Sequence, residues 1–231
     1  MLLQAALNGP STKDDHPAVP ITADELARDA RACVEAGAAA IHMHPRNADG
    51  RESLEAAVID AVVRQVRAAC GVPVGVSTGA WIEPDLERRL ELISAWTEPD
   101  YASVNVSEDG AFEVMRALMK RGIGVEAGVW SPEDARALNA SGLASDLTRI
   151  LIEPVNVSAT NAVALVAAIR GEVNDGPVLQ HGDGEATWIL LEDAIANGCD
   201  TRIGLEDARH ETTGNVGLVQ AAMNLIRAAG L

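Results

Sequence analysis

From end to end the chain alternates between a short β-type run and a longer stretch whose apolar residues recur at helical spacing, and eight such units fit into its 231 residues. That rhythm constrains the fold more than any other feature. Strands separated by helices run parallel, and short apolar runs mark strands buried on both faces. The predicted strands are Leu2–Leu7, Ala39–Met43, Val74–Ser77, Tyr101–Asn105, Ile123–Glu126, Arg149–Ile152, Pro177–Gln180 and Thr201–Gly204. Eight repeats close a parallel sheet into a (β/α)8 TIM barrel, expected as a single domain over 1–231. An open doubly wound sheet is the competitor, but no Gly-x-Gly-x-x-Gly follows the first strand.

The helices carry their own start signals. Thr22-Ala23-Asp24-Glu25 supplies an N-cap threonine and acidic first-turn residues, and Ser131-Pro132-Glu133-Asp134 an N-cap serine with proline at N1. The helix from about Ser53 to Cys70 is predicted to bury Leu54, Val58, Ala61, Val62 and Val66.

Chemistry in a barrel of this kind sits at the C-terminal ends of the strands, and polar residues collect there. They are Asn8, His42 and His44, Ser77 and Thr78 before Gly79, Asn105, Glu126, Glu153, His181 and Asp183, and Arg202 with Glu206 and Asp207. Each singly reads equally well as a turn residue, a helix cap or a solvated end. His42 and His44 lie one residue apart on a predicted strand, so both side chains point the same way while Met43 points the other. Two imidazoles and a carboxylate form a common ligand set for catalytic Zn2+, and Glu206 in Gly204-Leu205-Glu206-Asp207 is the expected third ligand. Asp207 is then free for proton transfer, with Arg202 beneath it and Glu126 across the mouth. Ser77, Thr78, Gly79, Asn105, Arg46 and His181 are the candidates for contact with substrate.

Composition narrows the partners. A formal charge of −16 argues against nucleic acid, so attraction of an anionic substrate must be local, from Arg46, Arg202 or Lys13. No apolar run reaches membrane-spanning length, and Met1-Leu2-Leu3-Gln4 has neither a basic leader nor an apolar signal core; a soluble, cytoplasmic protein is expected. Cys33, Cys70 and Cys199 lack a Cys-x-x-Cys spacing and read as reduced packing residues.

Across nearly its whole length the chain resembles the β-keto acid cleavage enzymes, whose founding activity cleaves 3-keto-5-aminohexanoate. The resemblance is carried by Asn8-Gly9, His16-Pro17-Ala18-Val19-Pro20, Ala36-Gly37-Ala38 leading to Ile41-His42-Met43-His44-Pro45-Arg46, Asp49-Gly50, Ser77-Thr78-Gly79 and Arg202-Ile203-Gly204-Leu205-Glu206-Asp207. It implies a TIM barrel with Zn2+ on His42, His44 and Glu206, and with Asp207 as base, assisted by Arg202 and Glu126. It also implies that Ser77 helps to hold the substrate carboxylate and that a β-keto acid reacts with acetyl-CoA to give acetoacetate and a new acyl-CoA. A homo-oligomer, typically a tetramer, is a further implication.

Departures from the family pattern fall in substrate-facing loops. Pro10 stands where the founding activity uses a glutamate to read an amino group, and Ser-Thr-Gly is followed by Ala80 and Trp81. Val106-Ser107-Glu108-Asp109 and His181-Gly182-Asp183-Gly184 also differ. An uncharged or hydroxylated tail is therefore expected on the substrate. The rival readings are a CoA-independent metal-dependent aldolase or lyase, a metal-dependent hydrolase, and a barrel kept as a binding module. The hydrolase reading needs histidines at the ends of strands five and six, where Glu126 and Glu153 stand.

Overall fold

The short apolar runs do form strands: Leu3–Ala6 (β1), Ala40–Met43 (β2), Val74–Ser77 (β3), Tyr101–Asn105 (β4), Gly124–Val129 (β5), Arg149–Ile152 (β6), Val178–Gln180 (β7) and Asp200–Ile203 (β8). A computed structural model describes residues 1–174 and 176–231. Each strand pairs in parallel with the next, and β1 also pairs with β8, so the sheet is a closed TIM barrel. The helices Ala23–Ala36 (α1), Ala56–Cys70 (α2), Leu86–Ser94 (α3), Ala111–Lys120 (α4), Pro132–Ser141 (α5), Ala159–Glu172 (α6), Thr187–Ala196 (α7) and Asn215–Ala228 (α8) alternate with them. None of these helices is long and apolar enough to cross a membrane.

The cap signals work locally as read. Thr22 and Glu25 form a reciprocal capping box on α1, and the Ser131 side chain accepts from the Asp134 N–H at 3.1 Å. The α2 stripe is shifted from expectation. Its buried residues are Ile59, Val62, Val63 and Val66, whereas Ala61 is exposed and Leu54 is buried ahead of the helix. The helix starts at Ala56 because residues 46–52 make a separate turn, closed by an Arg46–Glu52 bridge.

Strand five departs in a way that matters for chemistry. β5 runs on to Val129, so Glu126 is not a rim residue. It is fully buried inside the barrel, in register with Ser103 and Arg149. Arg149 Nε lies 3.1 Å from Glu126 Oε1, which also accepts from Gln4 Nε2 at 2.9 Å. Gln4 Nε2 donates to the Tyr101 hydroxyl as well, and that hydroxyl donates to the Ile41 carbonyl at 2.5 Å. A buried charge needs pairing and hydrogen bonds, and this cluster supplies them to Oε1 of Glu126 alone. Oε2 has no partner among the described residues, and burial pushes the carboxyl up against the pull of Arg149. The inward position nearer the rim of β5 is Gly128. A Cβ there would come within 2.6 Å of both Asn105 Oδ1 and Glu153 Oε1, so the missing side chain makes room for two polar neighbours.

Closure of the barrel is tightest where β8 leaves the sheet. A Cβ on Gly204 would stand 1.8 Å from the Ala6 carbonyl oxygen, a backbone atom that cannot rotate away. Gly204→Ala is expected to separate β1 from β8 and to destabilise the fold by at least the about 1–3 kcal/mol typical of overpacking. Urea unfolding measures it, and a midpoint equal to that of the wild type would contradict so close an approach.

Candidate active site

β2 ends in Ile41-His42-Met43 with His44 one residue beyond, and the alternation turns both imidazoles inward while Met43 joins the core. Both histidines are buried. Asn8, just beyond β1, accepts from the His44 N–H at 2.8 Å and donates to its carbonyl at 2.9 Å, extending the β1–β2 ladder by a side chain. The loop after β8 carries Glu206, whose Oε2 lies 3.6 Å from His42 Nε2 and whose Oε1 lies 3.4 Å from His44 Nε2. Gly9, with φ +51°, leaves the space that Glu206 fills, since a Cβ there would meet Glu206 Cγ at 2.4 Å.

The β8–α8 loop is fixed by backbone hydrogen bonds. Asn215 Oδ1 accepts from the Leu205 N–H at 2.7 Å, and Asn215 Nδ2 donates to the Leu7 carbonyl at 2.8 Å and to Asp29 at 2.6 Å. The Asp207 carbonyl accepts from Gly184 N–H and from the Thr187 hydroxyl. Arg202 then ties the two carboxylates together: it donates to Asp207 at 2.9 and 2.6 Å and to Glu206 at 2.8 Å. His181 stands beside Asp207, with Nδ1 at 3.6 Å, and its Nε2 is 3.0 Å from Glu153. Glu153 in turn accepts from Trp130 Nε1 at 2.8 Å.

The electrostatics follow from burial and from Arg202. Burial would raise Glu206, but Arg202 and the two histidines outweigh it and hold this carboxyl well below the usual range. Burial pushes Asp207 up against the opposing pull of Arg202 and His181. Burial lowers His42 to about 3, so its imidazole is neutral. His44 is lowered by burial too, yet the carboxylates of Glu206 and Glu52 overcome this and raise it to about 9.

His42, His44 and Glu206 each bring one donor atom within 4.8 Å of the others. His42 Nδ1 and Glu206 Oε2 have no hydrogen-bond partner among the described residues. A buried carboxylate with one oxygen left without a donor 3.6 Å from His42 Nε2 and the other 3.4 Å from His44 Nε2 fits a divalent cation.

These groups line one cavity of about 350 Å3 at the C-terminal mouth of the barrel. Of the residues predicted from sequence, His42, His44, Ser77, Asn105, His181, Arg202, Glu206 and Asp207 line it. Four others do not. Glu126 lies deeper, bound to Arg149 and Gln4. The Arg46 guanidinium is occupied by the carbonyls of Gly9, Ser11 and Gly50, at 3.0, 2.7 and 3.0 Å. Thr78 donates its hydroxyl to the Ser103 carbonyl at 2.7 Å, and Gly79 lies beneath the Trp81 ring. Sequence reading passed over Trp130, Arg149, Arg209 and Glu52. A tryptophan directly after a strand is a signal for Trp130, and none exists for Glu52, whose partner is set by the turn at 46–52.

A TIM barrel with three histidines and four carboxylates gathered around one cavity at its C-terminal mouth has the form of a barrel enzyme. The chain belongs to the beta-keto acid cleavage enzyme family, whose profile matches residues 1–231. It is 26% identical to the 3-keto-5-aminohexanoate cleavage enzyme of Fusobacterium nucleatum over 227 residues, 90% of this chain and 82% of that protein. It is 43% identical to the 3-oxoadipate:acetyl-CoA acetyltransferase of Cupriavidus necator over 68 residues, 29% of this chain and 24% of that protein. Among solved structures, ObcA in ternary complex with a C4-CoA adduct and oxalate superposes with a TM-score of 0.71 at 15% identity, over 93% of this chain and 65% of ObcA. The 3-dehydroquinate dehydratase of Geobacillus kaustophilus does so with a TM-score of 0.68 at 11% identity, over 99% of this chain and 91% of that one. These two likenesses concern the barrel alone.

Asp29, which anchors Asn215 and through it the loop of Glu206, gives a test of this framework. Burial raises Asp29 to about 6, against the opposing hydrogen bond from Asn215; an unperturbed aspartate titrates near 4. The folded state therefore holds the Asp29 proton more tightly than the unfolded chain. Ionisation costs stability: nothing below about pH 4, increasing up to about pH 6, and fully felt above it. Relative to wild type, Asp29→Asn is expected to gain stability between about pH 4 and pH 8, by up to roughly 3 kcal/mol. Urea titrations at the two pH values that show the same gap would contradict this.

Proposed function

We propose that this protein is a divalent-metal-dependent enzyme that condenses a β-keto acid with acetyl-CoA and releases acetoacetate and a new acyl-CoA. The observation that carries this reading is the meeting, in one cavity, of His42, His44 and Glu206 with the Asp207–Arg202 pair. The family membership and the names of the Fusobacterium and Cupriavidus relatives support it. His42, His44 and Glu206 would hold the cation, and two imidazoles with one carboxylate suit Zn2+. A bound divalent cation supplies Lewis acidity toward the keto oxygen, an effect worth several kcal/mol.

The chain's own groups supply the rest. Asp207 takes the α-proton of the β-keto acid, and the freed electron pair forms a bond from the α-carbon to the acetyl carbonyl, expelling CoA as thiolate. The thiolate adds to the original keto carbon. The bond between that carbon and the α-carbon then breaks, leaving acyl-CoA and an acetoacetate carbanion that takes its proton back from Asp207. Burial makes Asp207 a stronger base than a solvated carboxylate, while Arg202 fixes both its oxygens. Ser77 and Asn105 offer polar atoms to the substrate carboxylate from the β3 and β4 side of the cavity. Glu126 acts at one remove: held by Arg149, it adds a buried negative charge that reaches Arg202.

Pro10 lines the cavity and brings neither charge nor donor, which disfavours a cationic tail. Glu108 is occupied by the Ala80 N–H at 2.9 Å and by Asn105 at 2.8 Å, and neither it nor Asp109 lines the cavity. Asp183 does line it, opposite Arg209 at 3.8 Å. A neutral β-keto acid is thus expected to be preferred over an amino-bearing one of equal length. A tenfold preference for the amino substrate, about 1.4 kcal/mol of transition-state binding, would reverse that assignment.

Asp207→Asn is expected to keep its full metal content and to lose about 10² to 10⁴ in turnover, the usual contribution of a positioned base. Metal analysis beside a panel of β-keto acids assayed for acyl-CoA formation checks both halves. Joint loss of metal and activity would make Asp207 a ligand instead, and turnover that needs no acetyl-CoA would make the enzyme a CoA-independent lyase.

A further inference from the structure

His44 is gripped at both ring nitrogens. Its Nε2 faces Glu206 at 3.4 Å, and its Nδ1 lies 2.5 Å from Oε1 of Glu52. Glu52 is mostly buried, and its other oxygen accepts from the Trp81 indole N–H at 3.2 Å. The same indole stacks on the His44 ring, with centroids 6.2 Å apart and planes tilted by 21°. It can lie there because position 79 is glycine: a Cβ on Gly79 would sit 2.3 Å from the ring.

Glu52 reaches His44 by a built turn. Gly50 takes φ +76°, Asn47 Oδ1 accepts from the N–H groups of Asp49 and Arg51, and the Arg46 guanidinium clamps the turn through the carbonyls of Gly9, Ser11 and Gly50. The Arg46–Glu52 bridge completes it. His42 has no such hold, since its Nδ1 lacks a partner among the described residues.

With a cation on Nε2 the His44 imidazole is neutral and keeps one proton, and the much closer carboxylate, Glu52 at 2.5 Å from Nδ1, holds it there. We infer that Glu52 is a positioning residue of the metal centre: it holds the His44 proton on Nδ1 and, with Trp81, locks the ring so that Nε2 offers its lone pair to a cation shared with His42 and Glu206. This rests on the metal centre proposed above. It makes the affinity of the site depend on a carboxylate that touches neither metal nor substrate. It also gives the Arg46 turn a purpose, because the arginine sets where Glu52 stands.

The test is competition for Zn2+ between metal-stripped protein and a chromogenic chelator, with thermal unfolding recorded in parallel. Wild type is expected to bind one equivalent. Glu52→Ala is expected to bind about 10- to 100-fold more weakly, as for other carboxylates that support a metal-ligating histidine. Glu52→Gln, which keeps an acceptor oxygen and nearly the same shape, should recover part of that loss. In NMR of the histidine side chains of the zinc-loaded protein, the Nδ1–H proton of wild-type His44 should lie far downfield because of its short hydrogen bond to Glu52, and it should move upfield in Glu52→Gln at an unchanged unfolding temperature. A wild-type protein that binds no Zn2+ overturns the centre and this role with it. A wild type that binds while Glu52→Ala binds within twofold of it overturns the role of Glu52 alone.

Discussion

The seam between β1 and β8 is the constraint on which the site depends. Parallel strands cannot be joined by tight hairpins, so the sheet acquires its helices one crossover at a time and closes only when the last strand meets the first. At that seam Gln4 is in register with both Ala40 and Arg202. The histidine pair at the end of β2 and the carboxylates after β8 are thereby brought to opposite sides of β1, although more than 160 residues of chain separate Glu206 from His42 and His44. The glycines at this seam, Gly9 and Gly204, are there because a side chain at either would strike Glu206 or the Ala6 carbonyl.

A second constraint is charge. Within a chain of formal charge −16, the mouth gathers Glu153, Asp183, Glu206 and Asp207 around a cavity with, among the described residues, only Arg202 and Arg209 as arginines on its wall. Carboxylates that close together stay ionised only when cations or donors compensate them. Arg202 compensates the innermost pair, His181 and Trp130 engage Glu153, and Arg209 faces Asp183. Glu206 Oε2, without a hydrogen-bond partner among the described residues and 3.6 Å from His42 Nε2, marks where a further positive charge fits. Beneath this layer Glu126, Arg149, Gln4 and Tyr101 form a second polar layer inside the barrel. The barrel interior is therefore polar for two successive layers, at a cost in stability that the apolar packing between strands and helices offsets.

The pattern of polar residues after strands two, three, four and eight was readable because a strand places side chains by strict alternation, and the caps on α1 and α5 were readable because they involve neighbours three residues apart. Glu126 was misplaced for the same reason that most strand ends are uncertain. A polar residue inside a run looks like the end of it unless its buried partner is known, and that partner, Arg149, lies on the next strand. Arg46 looked like an anion-binding group because it follows the histidine motif. Three carbonyls claim it, two of them from the β1 loop 35 and 37 residues away.

Sequence by itself determined the eightfold alternation, and with it the closed parallel barrel, the rim on which polar side chains gather and the same-side pairing of His42 with His44. These are short-range properties, fixed by a repeat of two in strands, by 3.6 in helices and by the residues that cap them. Tertiary structure alone decided the depth of Glu126, the use of Arg46 as a clamp, and the contact of Glu52 and Trp81 with His44. Each depends on a side chain from one loop reaching a partner on another, and no local periodicity records the distance between two loops that meet only once the barrel has closed.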